Sequence, residues 1–520
     1  MCFKKYLIVL VCMGLFSCKK IIDLYPVSNL NTATYYSTSD EVQTGLLGCY
    51  SVMQKSMYYE WQLTEMRSDN TDMGVPTSNN SVNRDQSDLD EFIPATTNTT
   101  VYNYWLTTYS TIRNANIILQ NLGVVYDPAA GTISLSAIQL NISDSLRKQY
   151  AGEAMVIRAN SYFNLVRLFG GVFLVQTPIA AEAAKGVNRS TVDDIYKFIQ
   201  ADLSTAVGYL NKQKFSALPA ASIGRANAWV AKGLLAKVYL TLNNKAGAIT
   251  LLQDVISNSG YSLQATYANV FSITTEMNSE IMFAVRYKAG NLGLGSTFGN
   301  DFAPLGSGSA VINGSGLGWN YPTNDMDTTY GGYTSGGVAI PLDPRKATSM
   351  SSYGTSKLLY VKKYLTPVVT ANDGESDWPV LRYADIILMM AEAQGYSAAS
   401  ITLINQIRTR AGVAVLPVTV NTVALFEKAL SNERRLEFAF ENQRFFDLVR
   451  FNTTMTTITA QQTIKDHLAK EFASHYASYS PVIPLATLQS YVTTDKLLLP
   501  IPQHEIDTNS QIVIPQNTGY

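Results

Sequence analysis

Apolar side chains recur every three or four residues over much of the chain, the period of an amphipathic helix. Thr38-Ser39-Asp40-Glu41 has the capping-box pattern, and Val42, Leu46, Tyr50 and Met53 then share one face, which predicts a helix opening near residue 39. Tyr102, Trp105, Tyr109, Ile112, Asn116 and Leu119 predict a second helix between about 100 and 122. The stretch RKQYAGEAMVIRANSYFNLVRLF, ending at Phe169, is apolar around most of its circumference and predicts a deeply buried helix. Thr191-Val192-Asp193-Asp194 caps another, and GRANAWVAKGLLAKVYLTL from 224 and AGAITLLQDVIS from 246 follow. Ala226, Ala228, Ala231 and Ala236 let neighbouring helices approach closely.

The pattern changes at about residue 288. Fifteen of the 33 glycines fall between Gly290 and Gly374, and stretches such as GNLGLGSTFGN and INGSGLGWNYPT cannot be regular helix. Long loops of this kind are usually functional or mobile. Helix patterns resume with RYADIILMMAEA (382–393), INQIRTRAG (404–412) and ALSNERRLEFAFENQRFFDLVRF (429–451), before a Pro-rich, extended tail. Helix starts near 191 and 224 lie about one tetratricopeptide period apart (roughly 34 residues), the spacing of stacked helical hairpins, although the full signature of that repeat is missing.

The first residues set the compartment. Lys4 and Lys5 precede an apolar run from Tyr6 to Phe16, then Ser17 and Cys18, the layout of a secretory signal over residues 1–17. The run is shorter than the roughly 20 residues a membrane-spanning helix needs. Leu15-Phe16-Ser17-Cys18 resembles the lipobox of bacterial lipoproteins, which implies cleavage before Cys18 and acylation of that residue, palmitate included. Several acyl chains on one residue give stable anchoring. Of Cys2, Cys12, Cys18 and Cys49, only Cys49 then remains free, so an exported chain without an internal disulfide must rest on a large core.

Composition narrows the partner. Charged residues are 15% of the chain, and 39 basic against 40 acidic side chains leave no basic excess for a nucleic acid. The 31 tyrosines fit a neutral, hydroxyl-rich ligand better than a phosphate polymer. The three histidines, His467, His475 and His504, lack partners at metal or triad spacing, which argues against a zinc site or a histidine-based hydrolase. Gly314-x-Gly316-x-Gly318 lacks the context of a phosphate loop and reads as loop glycine. The carboxylates at Asp85, Asp88, Asp90 and Glu91, and at Asp325 and Asp327, suit a glycosidase pair or calcium ligands as chemistry, but solvated loop carboxylates are the favoured reading. Glu433, Glu437 and Glu441 with Arg434, Arg435 and Arg444 read either as a carboxylate cluster or, given Leu436, Phe438 and Phe440 beside them, as a buried ion-pair network.

ERRLEFAFENQRFFDLVRF, with WPVLRYADIILMMAEA, INQIRTRAG, GEAMVIRANSYFNLVRLFGG and the ending LPIPQHEIDTNSQIVIPQNTGY, resembles the SusD/RagB family of outer-membrane nutrient-uptake lipoproteins across nearly the whole mature chain. Phe173 stands where the family usually has proline, and Asn442 where it often has glycine. The resemblance implies a mainly α fold, with four tetratricopeptide-like hairpins as scaffold and a loop-rich irregular second half. It implies an N-terminal region over 18–230 and a C-terminal region over 231–520, with ligand loops at 288–380. It implies a lipid anchor at Cys18 in the outer membrane, facing the exterior. The expected function is non-catalytic capture of an oligosaccharide or polysaccharide and delivery to a TonB-dependent transporter. An anchored glycoside hydrolase and a binder of peptide or glycoprotein are the alternatives. No cofactor is expected, and a structural calcium has no motif behind it.

Sugar rings offer C–H faces and hydroxyl rims, so their sites need flat aromatic rings beside amides or charged groups. Trp319, Asn320 and Tyr321 in the Gly-rich loop are the first candidates. Tyr59 and Trp61, which precede Arg67-Ser68-Asp69-Asn70, are the second group, with Asp69 resembling the aspartate of the family's ligand loop and Asn70 replacing its usual glutamate.

Overall fold

The structure, a computed structural model, describes residues 35–73, 84–509 and 511–520. The signal segment and Cys18 lie outside them. Helix α1 (Ser39–Thr64) begins with the full capping box: the Thr38 hydroxyl accepts the Glu41 N–H, and the Glu41 carboxylate accepts the Thr38 N–H. Asn98, Ser143, Thr191 and Asn227 cap α2 (Thr99–Asn121), α3 (Asp144–Phe169), α4 (Val192–Tyr209) and α5 (Ala228–Thr241) in the same side-chain-to-backbone manner. The pattern from 224 predicts an earlier start for α5; Asn227 sets it instead by accepting the Trp229 and Val230 N–H groups. Helices α6 (Lys245–Asn258), α7 (Tyr383–Gln394) and α8 (Ala398–Ala411) complete the scaffold.

Each of these eight helices packs on the next, so α1/α2, α3/α4, α5/α6 and α7/α8 stack as four successive pairs. α3 is buried on nearly every side from Tyr150 to Phe169. A buried bidentate pair, Arg158 on Asp202 at 2.8 and 2.7 Å, joins α3 to α4. The fourth pair does not follow the third directly. The chain leaves at β2 (Ile281–Val285), builds the irregular region, and returns at β4 (Trp378–Arg382), which pairs antiparallel with β2. Beneath that seam Trp378 stacks on Tyr364 at 4.3 Å with the rings 8° from parallel, and Phe298 and Phe302 pack edgewise against them. One large apolar core runs from Val42 to Ile514 and joins both halves, with a small second cluster of Val270, Met277, Ile281 and Ala284.

The pattern over 429–451 reads as one helix, but the structure breaks it. α9 (Val423–Glu437) stops, α10 (Arg444–Thr454) starts anew, and α11 (Ala460–Glu471) follows. Phe440 and Asn442 between them take φ of 64° and 60°. Asn is one of the few residues that tolerates that backbone, which accounts for its presence at 442. The break is built around charge. Arg382 donates to Glu280, Glu437 and Glu441 at 2.7 to 2.9 Å, and Arg345 donates to Asp343, Glu433 and Glu437, all buried. Burial alone would raise the Glu437 carboxyl; Arg410, Arg382 and Arg345 outweigh it and hold it well below the usual carboxylate range. The ion-pair reading of these residues is therefore the one the structure bears out. Removing one member of such a pair typically costs about 3–5 kcal/mol.

Candidate ligand cleft

Two short strands far apart in the chain build the site. β1 (Thr71–Asp72) pairs antiparallel with β3 (Tyr321–Pro322), placing Asp72 opposite Tyr321 and Thr71 opposite Pro322. The loop entering β3 is strapped to the segment 300–303 by three backbone bonds: Leu317 to Asn300, Gly318 to Ala303 and Trp319 to Asp301, each 2.9 Å. The strapping requires glycine. A Cβ on Gly316 would collide with the carbonyl oxygen of Pro304, and one on Gly318, at φ 68°, with the Tyr321 hydroxyl. Tyr321 is thus set by backbone on both sides. Burial raises its hydroxyl pKa, opposed by a hydrogen bond from the backbone of Leu305.

Beside this ring lies an open cleft of about 560 Å³. Leu305, Leu317 and Leu358 offer apolar surface to it and are 65%, 38% and 43% exposed. Asn324, Ser356 and Lys357 supply amide, hydroxyl and ammonium groups, and Asp72, Glu471 and His475 complete the wall. Apolar patches with scattered polar groups match the two surfaces of a saccharide.

The other sequence candidates lie outside the cleft wall. Trp319 is half-buried, its ring 6.4 Å from that of Trp61 and tilted by 36°. Trp61 is fully buried and meets Phe302 edge-on at 4.8 Å. Asn320 is buried at φ 56°, and its amide has no hydrogen-bond partner among the described residues. Tyr59, half-buried, packs edge-on against Tyr58 at 4.9 Å. Asp69 is buried and gripped by Arg444 at 2.6 and 2.8 Å, with Arg435 at 3.2 Å. Asn70, also buried, accepts from Arg435 at 3.1 Å. Trp61, Asp69, Asn70 and Asn320 are buried away from this cleft, and Asp69 and Asn70 tie the start of β1 to Arg444 and Arg435. Leu305, Leu317, Lys357 and Leu358 were missed, because nothing in their spacing points to a common surface.

The carboxylates expected as solvated loop groups lie instead on or beside two short helices, Arg84–Asp90 and Asn324–Thr329, with Asp90 and Glu91 buried, and they are committed to local structure. Asp85 accepts the Thr99 N–H at 2.9 Å, Asp325 pairs with Arg435 and Lys470, and Asp327 pairs with Lys346. Burial and the neighbouring Asp90 raise the Glu91 carboxyl to about 7. Two histidines separated from any partner in sequence are brought together in space. His467 Nε2 lies 3.3 Å from Asp72 Oδ1, and His475 Nε2 lies 3.4 Å from Asp90 Oδ2. Burial would lower the His475 imidazole, but Asp72 and Asp90 outweigh it and raise its pKa to about 9.

This helical stack with a clamped, loop-rich insertion defines a class of solved proteins. A laminarin-binding SusD-like protein superposes with a TM-score of 0.73 at 23% identity, over 93% of this chain and all of that one. Surface glycan-binding protein A from Bacteroides thetaiotaomicron, in complex with laminarihexaose, superposes at 0.68 with 18% identity, over 92% of this chain and 99% of that one. Among curated relatives, SusD-like protein P2 of Formosa agariphila is 24% identical over 565 residues, covering 99% of this chain and 100% of its own length. SusD-like protein P25 of the same organism is 24% identical over 501 residues, covering 85% and 88%. Two family models match: "SusD family" over residues 280–520, and "Starch-binding associating with outer membrane" over residues 22–240. The chain belongs to the SusD/RagB family, a family associated with the outer membrane.

Proposed function

We propose that the protein is an outer-membrane lipoprotein, anchored through Cys18 and facing the exterior, that captures an oligosaccharide or polysaccharide without cleaving it and hands it to a TonB-dependent transporter. The observation that carries this reading is the cleft at the β1/β3 edge, where the Tyr321 ring stands among exposed leucines with amide, hydroxyl and charged groups beside them. A neutral sugar polymer needs that combination, and the low charge of the chain suits it. The glycan-binding relatives described above add support at the level of the family. Trp319 contributes by packing the Tyr321 loop against Trp61.

Migration of the purified chain through native gels containing single polysaccharides tests the reading. Retardation by at least one of them, with no new reducing ends in solution, is the expected result. Release of reducing ends would replace the proposal with that of an anchored glycoside hydrolase, and indifference to every polysaccharide combined with binding of peptide would replace the ligand class.

A further inference from the structure

We propose that Asp72, Asp90 and His467 form a binding site for one divalent transition-metal ion of the zinc type, on the wall of the cleft. Three separate parts of the chain supply the donors, β1, the short helix Arg84–Asp90 and α11, and His475 on the turn after α11 stands beside Asp90. All four side chains are more than nine-tenths buried. One donor atom from each of Asp72, Asp90 and His467 lies within 4.8 Å of the others. In a tetrahedral site with bonds of about 2.0–2.1 Å, neighbouring ligand atoms stand about 3.3 Å apart. The His467–Asp72 separation, 3.3 Å, already has that length.

The physical demand for a cation is direct. Two carboxylates face two imidazole nitrogens in a dry interior, and lone pairs so arranged repel unless positive charge lies among them. That charge is either a pair of imidazolium protons or a metal ion. The surroundings suit the ion. The Tyr476 hydroxyl donates to Asp90 Oδ1 at 2.8 Å and lies 3.2 Å from His467 Nε2, and the Tyr479 hydroxyl lies 2.7 Å from His475 Nε2. Tyr476 so holds Asp72, Asp90 and His467 facing one point, and its hydroxyl oxygen would be placed to join them as a further ligand. Asp72 and His475 also line the cleft, which gives an ion a route in from solvent. The donor set selects the metal: imidazole suits zinc, nickel and iron, whereas calcium takes six to eight oxygens. Asp72 is the residue paired with Tyr321, so the ion would tie α11 and the helix at 84–90 to the strand pair that presents the ring. The site rests on its own geometry and does not depend on the glycan reading.

The test uses the untagged mature chain, stripped with chelator and titrated with zinc chloride, with calcium chloride in parallel. One equivalent of zinc bound and a Tm that climbs with zinc but not calcium are expected. Cobalt(II) in its place should give the visible ligand-field bands of a tetrahedral site, a readout that needs no variant. Both responses should vanish in His467→Gln and in Asp90→Asn, and persist in His504→Gln, whose ring packs on Tyr102 instead. No retained zinc with an unmoved Tm overturns the proposal and assigns the charge to protons. A response to calcium alone overturns the metal class, and binding that survives His467→Gln but is lost in His504→Gln marks an adventitious ion only.

Discussion

Replacing Asp69 by asparagine distinguishes an anchor from a ligand contact. In the folded protein the Asp69 carboxylate closes a two-pronged contact with Arg444 and touches Arg435, and those guanidinium groups pull its pKa far below the usual range against the effect of burial. Asparagine keeps the shape, removes the charge and turns an N–H₂ toward a cation. Arg435 retains Asp325 at 2.7 Å, but Arg444 is left with only the carbonyl and hydroxyl of Ser431. A buried guanidinium without its carboxylate costs about 3–5 kcal/mol. With an unfolding entropy of about 2.1 cal/mol/K per residue, a chain of this length loses about 1 °C in Tm per kcal/mol, so a fall of about 3–5 °C is expected by calorimetry. The sign of the pH dependence follows from the depressed pKa: the stabilisation is present above the unfolded carboxyl's pKa of about 3.9, and fades only as pH falls further toward the folded value. The Tm gap between parent and variant should therefore hold from neutral pH down to about 4 and close below it. Polysaccharide affinity of the variant should match the parent at temperatures where both are folded. An unchanged Tm together with a tenfold loss of affinity would refute the reasoning and return Asp69 to the ligand.

Tyr321→Ala removes the one candidate ring that lines the cleft and should weaken polysaccharide binding about tenfold, an effect of about 1.4 kcal/mol, with Tm nearly unmoved in the same gels and scans. Trp319→Ala takes away a half-buried ring resting on Trp61 and should cost about 2–3 kcal/mol of stability, measured by urea unfolding, with a smaller loss of affinity. Asp301, whose carboxyl burial raises to about 7, contributes stability in its protonated form that is complete below about 4 and lost as pH rises through about 7. Asp301→Asn should therefore gain on the parent across that window, with parallel Tm profiles as the refuting result.

Local signals carried most of the scaffold. The Thr38 capping box and the Thr191 cap, the apolar circumference of α3 and the alanines of α5 each belong to one segment, so each was legible without its neighbours. The break between α9 and α10 was hidden because Phe440 is a poor marker of a left-handed backbone, and only Asn442 hinted at it. The same turn resolves the charge cluster, whose partners Arg345 and Arg382 come from other elements and so were out of reach of a helical-spacing argument. Tyr321 was reachable from aromatic rings in a glycine-rich loop. Its leucine neighbours and the histidine–aspartate group were not, because β1 meets β3 and α11, and Asp90 meets His475, only after folding.

The antiparallel seam of β2 and β4 makes residues 286–377 a cassette whose two ends leave and re-enter the scaffold side by side, with α6 and α7 already in contact beneath it. Closing a longer or shorter loop at a fixed pair of endpoints changes the entropy only slowly with length. Grafts between relatives at that seam that keep Arg345 and Lys363, the cassette's buried partners of Glu433, Glu437 and Glu441, should thus retune sugar preference while the helical frame stays the same.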